Sequence, residues 1–308
     1  MRLLIVALVA LALLPFIATQ FFLVLATEVL LLGLFALSFN LLFGYTGMLS
    51  FGQAAYFAIS GYTVALLLVR GWPLPAAFVA GIVAATAAAL VLGWLSVRLN
   101  AIYFAMLTLA WGMMVFTAAF QWRDLTGGSD GITNLPIDVV AGIDFADFRV
   151  FYLVALAVTA LCAWLLWRIV HSPFGQVLIA IRENAERIAF TGIDVRHYQL
   201  AAFVVAGLFA GVAGALFVPF ARIAAPSMAH WTRSAEPVLM TVLGGPGTFF
   251  GPVVGSAIFI YLRNFVTART EFWNLVLGLI LLPMVLVFRG GIVGFLLEAF
   301  GHTGHDDE

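Results

Sequence analysis

The sequence contains no lysine, one cysteine and few charged residues of either sign. Only 9% of its 308 residues are charged and 64% are hydrophobic, whereas a soluble domain is roughly 25% charged and 45–50% apolar. A water-soluble fold of this length cannot bury that much apolar surface. The composition therefore excludes a soluble enzyme, a disordered chain and a nucleic-acid binder, whose basic clusters are also missing. It predicts a polytopic membrane protein.

The scarcity of cysteine and histidine argues against a disulfide framework and a metal centre. Cys162 lies in an apolar run and is expected to be a small buried hydrophobe. His302 and His305 belong to a short acidic tail, 301–308, which we expect to be solvated. We therefore predict neither a metal site nor catalytic residues.

Runs without Asp, Glu or Arg predict the membrane spans, since a helix needs ~20 apolar residues to cross a ~30 Å hydrocarbon core. The runs are 3–27, 29–69, 71–97, 99–122, 150–167, 197–221, 237–262 and 272–288. The first two together have room for spans near 3–19, 21–43 and 47–69, the first retained rather than removed as a signal peptide. We predict an all-α fold of nine spans, or ten transmembrane or re-entrant segments if 237–262 is two short ones.

The positions of the arginines predict the orientation of the chain in the membrane. Arg168, Arg182, Arg187 and Arg196 cluster in the segment 168–196, so the loop 170–198 is expected on the cytoplasmic side. Counting back along the spans places the N-terminus in the cytoplasm and the aspartate-rich loop 122–149 outside.

Two glycine-rich segments interrupt the apolar runs, one in each half of the chain. They are GYTGMLSFGQ at 44–53 and GGPGTFFGP at 244–252, and they continue similarly, as FGQAAYFAISGY and FGPVVGSAIFIY. This is consistent with a degenerate internal repeat. Broken helices at membrane depth occur against protein or a water-filled cavity, and paired interruptions indicate a transport path. The alternative is that these glycines only allow close helix packing, the role we assign to Gly207, Gly211 and Gly214.

Glu28 is the one acid inside an apolar stretch, so its role is either functional or interfacial. We find no further pattern of buried acids and bases in the spans, which argues against ion-coupled transport.

The loop after residue 170 predicts a short amphipathic helix, about 173–190. Ser172 suits the N-cap, Pro173 the first helical position and Gly192 the stop. Val177, Ile181, Ala185 and Ile188 form an apolar side opposite Arg182, Glu183, Glu186 and Arg187. Such a helix is either a docking surface for a cytoplasmic partner or an interfacial helix.

Four blocks of the sequence resemble the permease subunits of bacterial ABC importers for branched-chain amino acids, specifically the M-type member of the permease pair. The blocks are 37–68, 102–112 followed by 122–132, 172–216 and 225–258, which together cover most of the chain in order. Gln53 is a departure, because family members often carry histidine there.

The resemblance implies one permease domain, 1–308, in the bacterial inner membrane, with lipid around it. It implies a second homologous permease, two cytoplasmic ATPases that hold ATP and magnesium, and a periplasmic binding protein that delivers Leu, Ile or Val. This chain itself lacks a G-x-x-x-x-G-K-[ST] motif, so we expect no cofactor on it and no enzymatic activity. Urea, short amides or other amino acids are alternative cargoes within the family, and a secondary transporter or channel working alone is a less favoured alternative.

The site residues follow from the two interruptions and from the resemblance. The predicted translocation path comprises Asn40, Gly44, Tyr45, Thr46, Gly47, Ser50, Gln53, Gly244, Gly245, Gly247 and Thr248. The segment that corresponds to the family's ATPase-coupling loop comprises Ser172, Pro173, Phe174, Gly175, Arg182, Glu183, Asn184, Glu186 and Gly192.

Overall fold

The computed structural model describes residues 11–15, 19–136, 139–140, 143–145 and 147–269, with short pieces at 275–276, 278–279 and 291–294. Nine helices of more than one turn are described: α1 Gln20–Asn40, α2 Gln53–Val69, α3 Leu74–Ser96, α4 Ala101–Gln121, α5 Phe148–Val170, α6 Pro173–Phe190, α7 Val195–Ala221, α8 Trp231–Gly244 and α9 Gly251–Thr267. The predicted all-α fold is confirmed. In the described ranges, the only strands are β1 Val139–Val140 and β2 Ile143–Asp144, an antiparallel pair within the loop 122–149.

Five of these helices are long and apolar enough to cross a membrane: Gln20–Tyr45, Leu74–Ser96, Ala101–Gln121, Phe148–Val170 and Val195–Ala221. They agree closely with the predicted spans. The 237–262 run is divided between two helices, α8 and α9, which extend beyond it at either end, as the ten-segment alternative requires. The span predicted at 47–69 begins only at Gln53, because residues 47–52 are not helical. Most of the spans predicted at 3–19 and 272–288 lies outside the described residues.

Close helix contacts around α7 depend on residues without a side chain. A Cβ at Gly207 would overlap Ala89 of α3, one at Gly211 would come within 2.7 Å of the Ala85 Cβ, and one at Gly214 would overlap the Phe57 carbonyl. The predicted packing role of these three glycines is confirmed. Cys162 is buried, as predicted.

Helices α1 and α9 pack against each other in antiparallel fashion. Gly33 faces Ser256 and Asn40 reaches Thr248. The end of α1 therefore lies beside the start of α9, at the end of the bundle where α6 packs. Arginines stacked on tryptophans mark this end as a lipid–water interface, with Arg98 4.1 Å from the Trp94 ring and Arg168 5.6 Å from the Trp164 ring.

Candidate functional site

The first interruption carries the chain from the end of α1 into the interior of the bundle. After Asn40 the helix widens into a π-helical turn, Leu41–Tyr45, a feature that is frequent at functional sites. Gly47 then adopts a φ of 75°, and the extended segment after it runs inward. Phe51 N–H donates to Thr108 Oγ1 of α4 at 3.2 Å, and Ala54 N–H donates to Ser234 Oγ of α8 at 3.1 Å. Helix α2 therefore begins inside the bundle.

The second interruption has the same layout. Helix α8 ends at Gly244, Gly245 and Gly247 have φ values of 115° and 83°, and α9 begins at Gly251. A Cβ at Gly244 would overlap the Gly251 carbonyl oxygen, so only glycine allows the two helix ends to approach this closely. Each interruption is followed by a helix of 17 residues.

Asn40 joins the two interruptions through its side-chain amide. The amide nitrogen donates to the Thr248 carbonyl at 3.0 Å, and the amide oxygen accepts from Gly247 N–H at 3.2 Å. Asn40 itself is 1% exposed. The two glycine-rich segments, predicted from sequence as separate interruptions, therefore form one structural unit.

Helix α6 begins and ends where the sequence predicts. Pro173 stands in its first turn, and Gly192 follows it with a φ of 88°. Ser172 occupies the N-cap, as predicted, but its side chain does not cap the helix, since the hydroxyl donates back to the Ile169 carbonyl at 2.6 Å. A break at Asn184 (φ −158°, ψ 96°) divides the helix, and the Asn184 side chain accepts from Arg187 N–H at 2.9 Å.

The buried side of α6 packs on the bundle. Gly175, Leu178 and Ile181 are buried, and a Cβ at Gly175 would overlap the Val170 carbonyl oxygen. Ile181 was predicted in the apolar face. Leu178 was not, and Val177 is only partly buried.

Arg182 connects α6 to both interruptions. Its Nη1 donates to the Gly44 carbonyl. A Cβ at Gly47 would lie 3.2 Å from the Arg182 Cγ, and a Cβ at Gly247 would lie 3.1 Å from its Nη1. The glycines thus leave room for this arginine. Two groups of residues that the sequence predicts as separate, the path and the coupling loop, meet at one side chain.

Residues 21–286 match the family described as the permease component of the branched-chain amino acid transport system. The chain belongs to this family. It is 29% identical to the high-affinity branched-chain amino acid permease LivM of Escherichia coli, over 92% of this chain and 73% of that protein. It is 28% identical to LivM of Salmonella typhimurium, over 88% of this chain and 70% of that protein. It is 26% identical to the permease LivH of E. coli, over 85% of this chain and 90% of that protein. No solved structure matches. The resemblance drawn from the sequence is confirmed, and the chain is a multi-pass membrane permease component.

Most polar side chains of the permease's predicted path are occupied by bonds that hold the interruptions in shape. Thr46 Oγ1 donates to Leu41 O at 2.9 Å and Thr248 Oγ1 to Gly245 O at 2.8 Å, while Ser50 Oγ accepts from Gly52 N–H at 3.4 Å. Four other predicted residues, Gly44, Tyr45, Gly244 and Gly245, are buried. Gln53 differs from all of these. It is fully buried, and neither atom of its amide has a hydrogen-bond partner in the described part of the chain.

The outer side of α6 offers the permease a charged and apolar surface. Glu183, Glu186 and Arg187 are exposed. Phe190 is 91% exposed, more than any other large apolar side chain among the described residues. The sequence reasoning missed Phe190 because it lies off the apolar side of the helix. A phenylalanine at the last helical position before a glycine stop was the available signal.

Farther from α6, the permease contains a chain of partly buried ion pairs. Arg263 pairs with Glu28 and lies 3.8 Å from Glu236, which in turn accepts from Arg233 at 2.8 Å. All four side chains are only 12–18% exposed. Glu28 alone was singled out from the sequence within the predicted runs, and its partners were not found. The runs were defined by the absence of charged residues, so Arg233, Glu236 and Arg263 lay outside them.

Proposed function

We propose that this permease is a membrane subunit of an ATP-driven ABC importer that moves Leu, Ile and Val across the bacterial inner membrane by alternating access. The names of the relatives support the cargo, and LivM and LivH from one organism support pairing with a second, unlike permease. In this arrangement the N-terminus and the loop 170–198 face the cytoplasm, and a periplasmic binding protein delivers the amino acid to the opposite end.

The bond between Arg182 and Gly44 is the observation that carries the mechanism. ATP energy moves cargo only if it favours one permease conformation over another. A shift of α6 is transmitted through a charge-assisted hydrogen bond to the end of α1. Through Asn40 the same displacement reaches Gly247 and the start of α9. Both interruptions then move together, and residues 40–53 and 244–252 open to one side.

The outer side of α6 is the surface that we assign to the ATPases. Docking surfaces combine an exposed aromatic anchor with a polar surround, which matches Phe190 beside Glu183 and Glu186. The segment from Ser172 to Gly192 sets the position of this surface. ATP and magnesium are held by the two ATPase subunits in this proposal, and the permease contributes no ATPase activity.

Co-purification and reconstitution test the proposal together. The tagged permease is expressed with its neighbouring genes, extracted in mild detergent and assayed for leucine uptake in liposomes with the binding protein. We expect two ATPases and a second permease to co-purify, and uptake to require ATP. The Phe190→Asp variant should lose the ATPases and keep the second permease, while Gln176→Ala, an exposed position on the same helix, should keep both.

The opposite result would be a permease that purifies alone and moves leucine without ATP. That outcome would favour a stand-alone transporter and leave α6 as an interfacial helix. Competition of leucine uptake by urea, short amides and other amino acids defines the cargo within the family.

A further inference from the structure

The guanidinium of Arg233 presents one unused edge inside the membrane domain. Its Nη1 is bonded to Glu236 at 2.8 Å. Its Nε and Nη2 are buried and have no hydrogen-bond partner among the described residues. These two nitrogens form one side of the guanidinium fork, the geometry that binds a carboxylate with two parallel hydrogen bonds. Buried guanidinium donors without a partner are rare and call for an explanation.

A second unused group belongs to the helix start that contacts this turn of α8. Ala54 N–H donates to Ser234 Oγ at 3.1 Å, which brings together the start of α2 and the first turn of α8. Gln53 and Arg233 are the chain neighbours of these two residues. The Gln53 amide is fully buried and lacks partners for both its oxygen and its nitrogen. Two side chains with free hydrogen-bonding groups therefore flank a single contact between helices.

The surroundings are aromatic. The Arg233 Cζ lies 5.3 Å from the centre of the Phe57 ring and 4.7 Å from that of Phe217. Phe35 contacts Phe57 with ring centres 4.9 Å apart. Phe35 and Phe57 are fully buried. An apolar side chain therefore finds aromatic surface next to the free polar groups.

The depth of this position fits a transport path. Arg233 lies eleven residues before Gly244 on α8, a distance of about 16 Å along a helix. This is about half of a ~30 Å hydrocarbon core, measured from the end that contacts α6.

We propose that Gln53 and Arg233 form a subsite for the carboxylate of the transported amino acid, with Phe57 and Phe217 beside its aliphatic side chain. The proposal rests on the proposed function and deepens it. The Nε and Nη2 edge of Arg233 takes the carboxylate, and the Gln53 amide donates a further hydrogen bond. Both groups are closed from solvent in the conformation described here, so the ligand enters when α2 and α8 move apart. Glu236 holds the guanidinium in place through Nη1.

Ligand binding to the purified permease complex, without the binding protein, tests the subsite separately from transport. Leucine at millimolar concentration should raise the melting temperature of the complex. 4-Methylvalerate keeps the carboxylate and lacks the amine, so it should also stabilise the complex. Leucinamide lacks the carboxylate and should not. Equal effects of leucine and leucinamide would overturn the proposal, because the carboxylate would then contribute nothing to binding.

A variant of Arg233 and a matched control test whether leucine binding depends on this guanidinium. Arg233→Lys keeps the charge beside Glu236 but loses the fork, and should weaken leucine binding on the order of tenfold or more. Arg263→Lys makes the same exchange elsewhere in the ion-pair chain and should retain leucine binding.

Gln53→Met tests whether a loss of leucine binding can be explained by a loss of folding stability. Replacing an unpartnered buried amide by an apolar group of similar shape is neutral or stabilising, so this variant should fold at least as well as the wild type while it binds leucine less tightly. Tyr62→Phe also removes an unpartnered buried polar atom and should leave binding unchanged. Unaltered leucine binding in both Arg233→Lys and Gln53→Met would overturn the subsite. If ATP-driven leucine uptake by the wild type still held, the importer function would stand without it.

Discussion

The side chain of Asn40 binds the Thr248 carbonyl across 208 positions of sequence, and it accepts from Gly247 in the same contact. One amide thus joins the end of a helix in the first half of the permease to the loop before a helix in the second half. Neither glycine-rich segment has a regular helix to supply these partners. We therefore expect the two interruptions to move together.

Removal of the Asn40 side-chain amide should break the contact between the two interruptions. Asn40→Leu leaves the Gly247 N–H and the Thr248 carbonyl unpaired, which we expect to cost about 1–3 kcal/mol of stability and to reduce leucine uptake at least tenfold. Melting temperature and reconstituted uptake measure the two effects. Ser38→Ala is the control, since Ser38 is equally buried and bonds within its own helix to Phe35 O. A similar loss of uptake in both variants would contradict a specific role for Asn40.

Substitution of Gly47 should block transport rather than folding. Leucine at Gly47 meets an unfavourable positive φ, about 1–3 kcal/mol, and its Cβ lies against Arg182. Gly71 has nearly the same φ, 80°, and open space around it. We expect Gly47→Leu and Gly71→Leu to lower the melting temperature similarly, while uptake is abolished only in Gly47→Leu. Gly247→Leu should behave like Gly47→Leu. Normal uptake in both would remove these segments from the path.

Removal of the Arg182 guanidinium should uncouple ATP hydrolysis from uptake. Arg182→Met keeps the aliphatic stem beside Gly47 but loses the bond to the Gly44 carbonyl. The ATPases should still co-purify and hydrolyse ATP, with leucine uptake reduced tenfold or more. Arg196→Met removes a charge at an exposed position at the start of α7 and should transport normally. Loss of the ATPases from Arg182→Met would instead make Arg182 a docking residue.

The ion pair between Glu28 and Arg263 should stabilise the fold only as a pair. Removing one partner leaves an unpaired charge in a largely buried position. We therefore expect Glu28→Gln or Arg263→Met to lower the free energy of unfolding by about 3 kcal/mol. This is the lower end of the range for buried pairs, because both side chains keep some exposure. The double variant should recover most of that loss. Thermal unfolding of the four proteins in detergent measures the cycle, and additive losses would show that the two residues do not act together.

The helices were predictable from sequence because their signals are local. Apolar runs bounded by charged residues predicted α3, α4, α5 and α7 to within a few residues, since a membrane-spanning segment needs both sufficient length and a fully hydrogen-bonded backbone. The bounds of α6 followed from a proline at its first position and a glycine just past its end. The family resemblance likewise came from motifs in order along the chain.

Contacts between distant residues were not predictable in this way. Arg182 meets Gly44 across 138 positions, and Arg263 meets Glu28 across 235. Both depend on how α1, α6 and α9 align in the bundle, which the period of apolar residues does not specify. The sequence by itself determined the membrane class, the helices and the two interruptions. Only the tertiary structure decided that the two interruptions contact the same arginine and the same asparagine. Those contacts follow from the antiparallel packing of helices that are apolar nearly all round, and such helices carry no pattern that specifies which faces meet.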